Sequence, residues 1–154
     1  MEITKLTKES FSVIGKEGST ADGGGFIQKL WEDANSHFAE IESLVKKDGK
    51  GNPVGLWGAM SDLSRSFRPW EDNLSKGLYL AGAEVREDAE APPGWTKWTV
   101  PASEFVCVKA DGEEPVRAGL NYLRENGLEL AGAINDFIGP EDGQLYMMFP
   151  IRRL

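Results

Sequence analysis

The chain alternates between two hydrophobic periods, and the changes of period divide it into elements. Phe11 to Glu17 reads as a short strand, β-branched at its middle. From Phe26 the period lengthens. Ile27, Leu30, Trp31, Ala34, Phe38, Ile41 and Val45 recur at steps of three and four, which predicts one continuous amphipathic helix. The turn-rich stretch 18–25 precedes it, with Thr20 or Asp22 available as a cap. Lys46 and Lys47 put positive charge where a helix C-terminus favours it. Residues 48–53 then turn the chain, and their Asp spacing does not complete a calcium loop. Val54 to Met60 and Leu78 to Val85 read as strands, separated by a polar loop too long for a tight hairpin. After the acidic, proline-bearing stretch 86–94, Trp95 to Val108 reads as a strand pair broken at Pro101, which cannot donate to a ladder. A second helix is predicted from Pro115 to Asn126, with Val116, Leu120 and Leu123 as its buried stripe and Asn126-Gly127 as its stop. Strands from Glu129 to Phe137 and from Leu145 to Arg152 close the chain around a turn at Gly139 to Gly143.

The order strand, helix, strand, strand therefore occurs twice, and a short motif repeats with it. Leu56-Trp57-Gly58-Ala59-Met60-Ser61-Asp62 is matched by Leu130-Ala131-Gly132-Ala133-Ile134-Asn135-Asp136. Internal repetition bears on the fold before any single motif does. It predicts an α+β domain over residues 1–154, built from duplicated β-α-β-β units at about 8–86 and 95–154, with antiparallel sheets and two helices. Two such units side by side leave a central groove, between the helices or between the sheets, where a ligand site is expected.

Composition narrows the function. The formal charge of −8 argues against nucleic acid as a direct partner and against anionic membranes, and is compatible with cationic ligands. The single cysteine, Cys107, permits no internal disulfide and fits a reducing cytoplasm. The first residues lack the apolar core of a signal peptide, and no stretch approaches the roughly 18 apolar residues of a membrane helix.

Little conventional catalytic machinery is visible. His37 is the one histidine and lies on the flank of the first helical stripe. No cluster has zinc spacing, so neither a metal nor a cofactor is expected. Cys107 falls in an apolar strand and reads as an inert core thiol. There is no Gly-x-Ser-x-Gly elbow, and Gly23-Gly24-Gly25 lacks the partners of a phosphate loop. The aromatics carry more. Trp57, Phe67, Trp70, Trp98, Tyr146 and Phe149 are the candidate ligand-binding residues, because flat rings line sites where ligands stack. Phe67 and Trp70, in the long polar loop, suit a lid over the groove. Glu84 stands in an otherwise apolar strand, on the face of Leu78, Leu80 and Gly82, and is the candidate groove acid and catalytic residue. Asp62 and Asp136 close the two motif copies and read as strand-end turn formers.

Tyr79-Leu80-Ala81-Gly82-Ala83-Glu84, then Pro93-Gly94-Trp95, Val100-Pro101-Ala102 and Phe149-Pro150-Ile151, resemble the GyrI-like family in content and order. Gly58 to Leu63 and Arg68-Pro69-Trp70-Glu71-Asp72 resemble its stand-alone subgroup, which lacks a DNA-binding domain. The resemblance covers residues 54–154 well and the first strand and helix loosely. It implies the effector-binding fold found in AraC-type and MerR-type regulators, with an aromatic groove that holds a carboxylate and takes bulky, often cationic compounds. Many members carry a ligand-facing Glu four residues before the last strand's proline; here that place is Tyr146, and Glu84 substitutes on physical grounds. The expected function is sequestration or sensing of a hydrophobic or aromatic small molecule. The alternative is hydrolysis of strained, cyclopropane-bearing electrophiles, an activity of some stand-alone members, with Glu84 as the proton-transfer group. A third reading uses the acidic surface or the Phe67–Trp70 loop to hold a protein partner.

Overall fold

Eight strands make one antiparallel sheet in the computed structural model, which describes residues 2–111 and 114–154. In chain order they are β1 (Ile3–Lys8), β2 (Phe11–Ser19), β3 (Leu56–Ser61), β4 (Leu78–Val85), β5 (Thr96–Val100), β6 (Ser103–Lys109), β7 (Asn135–Ile138) and β8 (Leu145–Arg153). Two helices of full length, α1 (Phe26–Ser36) and α3 (Pro115–Glu125), flank a single turn, α2 (Glu71–Leu74). The spatial order is β1-β6-β8-β7-β3-β4-β2-β5. Thus β2-α1-β3-β4 and β6-α3-β7-β8 occupy opposite halves and meet where β3 pairs with β7.

Connection lengths dictate the shape of this sheet. β1 and β2 stand first and seventh in the order, yet only Glu9 and Ser10 join them. In a flat sheet, six strand spacings would separate them by roughly 29 Å, whereas two residues bridge at most about 11 Å. β5 and β6, eighth and second in the order, are joined by Pro101 and Ala102 alone. The sheet must therefore roll until its ends approach each other. α1 and α3 pack on the outer face of the roll, and the inner face encloses a core of its own.

That inner core contains Phe11, Val13, Trp57, Ala59, Leu80, Trp98, Val100 and Phe105. Trp57 is its hub, 1% exposed, with ring centroids 4.5 Å from Phe11 and 4.6 Å from Phe137. Outside, α1 and its continuation cover Ile14, Ala83 and Val85. α3 covers Val106, Val108, Met147 and Phe149.

Several sequence expectations are corrected here. The first helix ends at Ser36 rather than running to Val45, and two 3₁₀ turns, Phe38–Glu40 and Glu42–Leu44, continue it. Ser36 Oγ donates to Glu32 O at 2.7 Å, and the His37 ring turns back to Asp33 O, local bonds that compete with helix propagation. The tighter turns still keep Phe38, Ile41 and Val45 on the buried side. Neither Thr20 nor Asp22 caps α1, whose N-cap is Gly25 with no side-chain bond; both lie in a 3₁₀ turn that Ser19 caps, with Asp22 accepting from the Ser19 backbone N–H. β7 begins only at Asn135, so Gly132 lies outside any strand while Gly58 is in mid-strand. The two motif copies are not structural equivalents. β1 was not anticipated, because an edge strand with four consecutive exposed residues carries no apolar alternation.

Candidate ligand-binding cleft

Because α1 lies over β2 and β4 and α3 over β6 and β8, the central pair β3 and β7 is left as the floor of a cleft between the helices. Glycine shapes this floor. A Cβ at Gly58 would lie 1.8 Å from Tyr79 Oη, so only glycine lets that phenol cross β3 toward β7. Tyr79, fully buried, donates to Asp136 Oδ2 at 2.6 Å. Trp31 Nε1, from α1, donates to Tyr79 Oη at 3.0 Å. One chain of hydrogen bonds thus links the first helix to a carboxylate on the central strand.

Burial raises the Asp136 pKa above the ordinary carboxylate range, and the Tyr79 hydrogen bond opposes that only in part. Burial and the neighbouring Asp136 charge both push the Tyr79 phenol up, so it remains a donor. Among the described residues no cationic side chain lies within ion-pair distance of Asp136. Beside it opens an apolar cavity of about 130 Å³, lined by Met60, Trp70, Leu74, Val116, Ile134 and Met147. Met147 pairs with Asp136 across the sheet and Met60 with Tyr79, so the cavity and the polar pair share one floor. Trp70 closes the cavity from above. Its ring packs over Gly77, where a Cβ would come within 2.0 Å, and its Nε1 donates to Leu78 O at 3.0 Å.

The residues expected at the site divide between the two faces. Of the six aromatic candidates, Trp70 lines the cleft. Trp57 and Trp98 lie inside the rolled sheet as core residues, with Phe67 packed edge-on to Trp98 at 5.8 Å. Tyr146 is half-buried at the other end of that interior, 6.3 Å from Phe137. Phe149 has no exposed surface and packs under α3, its ring on the space that a Gly119 Cβ would fill. Glu84 is on the face assigned to it, but inside the roll and fully engaged. It accepts from Trp57 Nε1 at 3.1 Å and pairs with Lys8 Nζ at 3.2 Å and Lys46 Nζ at 3.7 Å. A carboxylate neutralised by two lysines is a poor cation receptor. His37 is exposed beside Asp33, and burial pushes the Cys107 thiol up to about 11.

Asp136, Tyr79 and Trp31 are what sequence reasoning missed as a site. Its place at the end of a motif copy suggests a turn former, but Asp136 is the second residue of β7 and faces the cleft.

Its counterpart Asp62 is a turn former. It is 5% exposed and accepts hydrogen bonds from the Ser61 and Ser64 hydroxyls and from the Ser66 and Arg68 backbone N–H groups. Burial alone would raise its pKa, but these bonds outweigh burial and lower it to about 2. A depressed folded-state pKa means stability that is present above the unfolded value near 3.8 and lost as pH falls toward 2. Asp62→Asn is therefore expected to lower stability at pH 7 and to flatten its loss between about pH 4 and 2, as read by chemical denaturation across that range.

No protein-family model and no curated protein matches the sequence. Solved structures do match in fold. The C-terminal domain of EcmrR superposes with a TM-score of 0.66 at 13% identity, over 99% of this chain and 98% of that one. SAV2435, solved bound to tetraphenylphosphonium, gives 0.61 at 13% identity, over 99% and 94%. An integron cassette protein from the mobile metagenome of Vibrio cholerae gives 0.59 at 16% identity, over 97% and 95%. The likeness is one of fold, and it defines the class: this is an α+β domain with the GyrI-like fold that the sequence resemblance implied.

Proposed function

We propose that this chain binds a bulky, hydrophobic organic cation in the cleft between α1 and α3, in a sequestering or sensing role. Asp136 carries the reading. A mostly buried carboxylate with a phenol donor and no lysine or arginine partner among the described residues is a charge held without compensation, and a bound cation would supply it. The cavity beside it has the capacity of about one aryl ring, since an apolar hole of roughly 150 Å³ takes benzene. Trp70 and Trp31 add ring faces that attract cations. The tetraphenylphosphonium held by SAV2435, a protein of the same fold, is a ligand of this chemical class.

Titration with tetraphenylphosphonium, followed by tryptophan fluorescence, tests the proposal. Quenching is expected to saturate, and affinity to be constant above the Asp136 pKa and to weaken as pH falls through it. Since that pKa is raised, the weakening begins above the ordinary carboxylate range. A flat response, or an affinity that does not change down to pH 4, would overturn it.

The hydrolase reading also moves to Asp136, because a carboxyl with a raised pKa in an apolar cleft is suited to proton donation, whereas Glu84 is ion-paired. Turnover of a cyclopropane-bearing electrophile that is lost in Asp136→Asn would favour it. Saturable binding without turnover leaves the binding reading alone.

A further inference from the structure

We infer that the ligand of the Asp136 cleft is an arylalkylammonium, with N–H bonds on its cationic head and no polar substituent on its ring, rather than a quaternary ammonium or phosphonium ion. The inference rests on the cleft reading above and specifies its ligand class. It starts from one oxygen atom. Tyr79 Oη donates to Asp136 Oδ2 at 2.6 Å and accepts from Trp31 Nε1, so the phenol's proton is committed. No donor bonds to Asp136 Oδ1 among the described residues. No sealed side-chain polar atom among them is left unpaired, so Oδ1 keeps contact with solvent in the cleft. The neighbours supply no donor. Across the sheet Asp136 faces Gly58 and Met147, and Ile138 follows it two residues on along the same face of β7.

A ligand that covers Oδ1 strips its water and must replace it. A primary ammonium does so with a charge-assisted hydrogen bond, the stronger kind. A quaternary head carries its charge behind alkyl groups and leaves the oxygen desolvated and unpaired, a direct loss to the complex. The primary ammonium is itself costlier to desolvate, but a site with an acceptor to fill rejects the analogue that lacks the bond. The other end of the ligand is set by the cavity of about 130 Å³, whose walls are apolar side chains and Trp70. The one N–H among those side chains, Trp70 Nε1, is spent on Leu78 O. A ring hydroxyl would be buried there without a partner.

Met147 and Met148 make the site readable. Adjacent on β8, they point to opposite faces: Met147 lines the helix-side cavity and Met148 belongs to the interior of the roll. Wild-type protein with isotope-labelled methionine methyl groups is titrated at neutral pH with phenethylammonium, phenethyltrimethylammonium and tyramine, and the methyl resonances are followed by NMR. Phenethylammonium is expected to shift the Met60 and Met147 methyls and leave Met148 in place. It should bind about tenfold more tightly than phenethyltrimethylammonium, which lacks the N–H bonds, and about tenfold more tightly than tyramine, which adds the ring hydroxyl. Equal or tighter binding of either analogue, with Met60 and Met147 shifted, would overturn the inference and keep the cleft reading. A shift at Met148 alone, or at none of these methyls, would overturn both.

Discussion

Asp136→Asn is expected to raise the melting temperature and at the same time remove the affinity for organic cations. The amide keeps an oxygen to accept the Tyr79 hydrogen bond but carries no charge to desolvate. The wild-type carboxyl has a folded-state pKa above its unfolded value, so it favours folding only when protonated, and that contribution is lost as pH rises through the folded pKa. At pH 7 its removal should stabilise the protein by on the order of 1 kcal/mol, or roughly 2–4 °C for a chain of this size. Loss of the charge from a desolvated ion pair costs about 2–5 kcal/mol of binding, a weakening of about thirtyfold or more. Calorimetry reads both quantities on one sample. A fall in melting temperature with affinity intact would mean that Asp136 is a structural residue.

Trp57→Ala should do the reverse. Trp57 is 1% exposed, stacks between Phe11 and Phe137, and donates the hydrogen bond that holds Glu84. Truncating a buried tryptophan costs about 3–5 kcal/mol, which corresponds to a drop of roughly 6–20 °C. Below the new melting point the organic cation should still bind with nearly its original affinity, because Trp57 lies on the far side of the sheet from Asp136. Loss of binding with little loss of stability would show that Trp57 is a ligand wall after all.

The elements themselves were largely legible. β2, β4, α3 and the break at Pro101 follow from period and from proline chemistry, and β4 runs over the expected residues 78–85. Strand alternation also placed Glu84 on the correct face with Leu78 and Leu80. What periodicity could not supply was the identity of that face. Alternation sorts residues into two sets, and which set meets the helices depends on where α1 and α3 land. Four of the six candidate aromatics, Trp57, Phe67, Trp98 and Tyr146, lie inside the roll, where rings fill volume, whereas the acid on the helix side carries no comparable signal. Glu84 looked catalytic because it was alone in an apolar strand, but Lys8 and Lys46, 76 and 38 positions away, neutralise it. Distant ion-pair partners leave no local trace in a sequence. Gly58 is the usable signal: a mid-strand glycine on the face of Leu56 and Met60 marks a place where something crosses the backbone.

The two dipeptide crossings, Glu9-Ser10 and Pro101-Ala102, have a consequence for biogenesis. β1 finds its partner in β6, about a hundred positions later, and β5 turns back to lie on β2. A nascent chain on the ribosome can therefore pair β2, β3, β4 and β5 early, but β1 must wait for the other half. Until β6 has emerged, β1 waits with an unsatisfied edge. Closure of the roll is therefore expected late in folding, and the long-range strand pairings are expected to slow it.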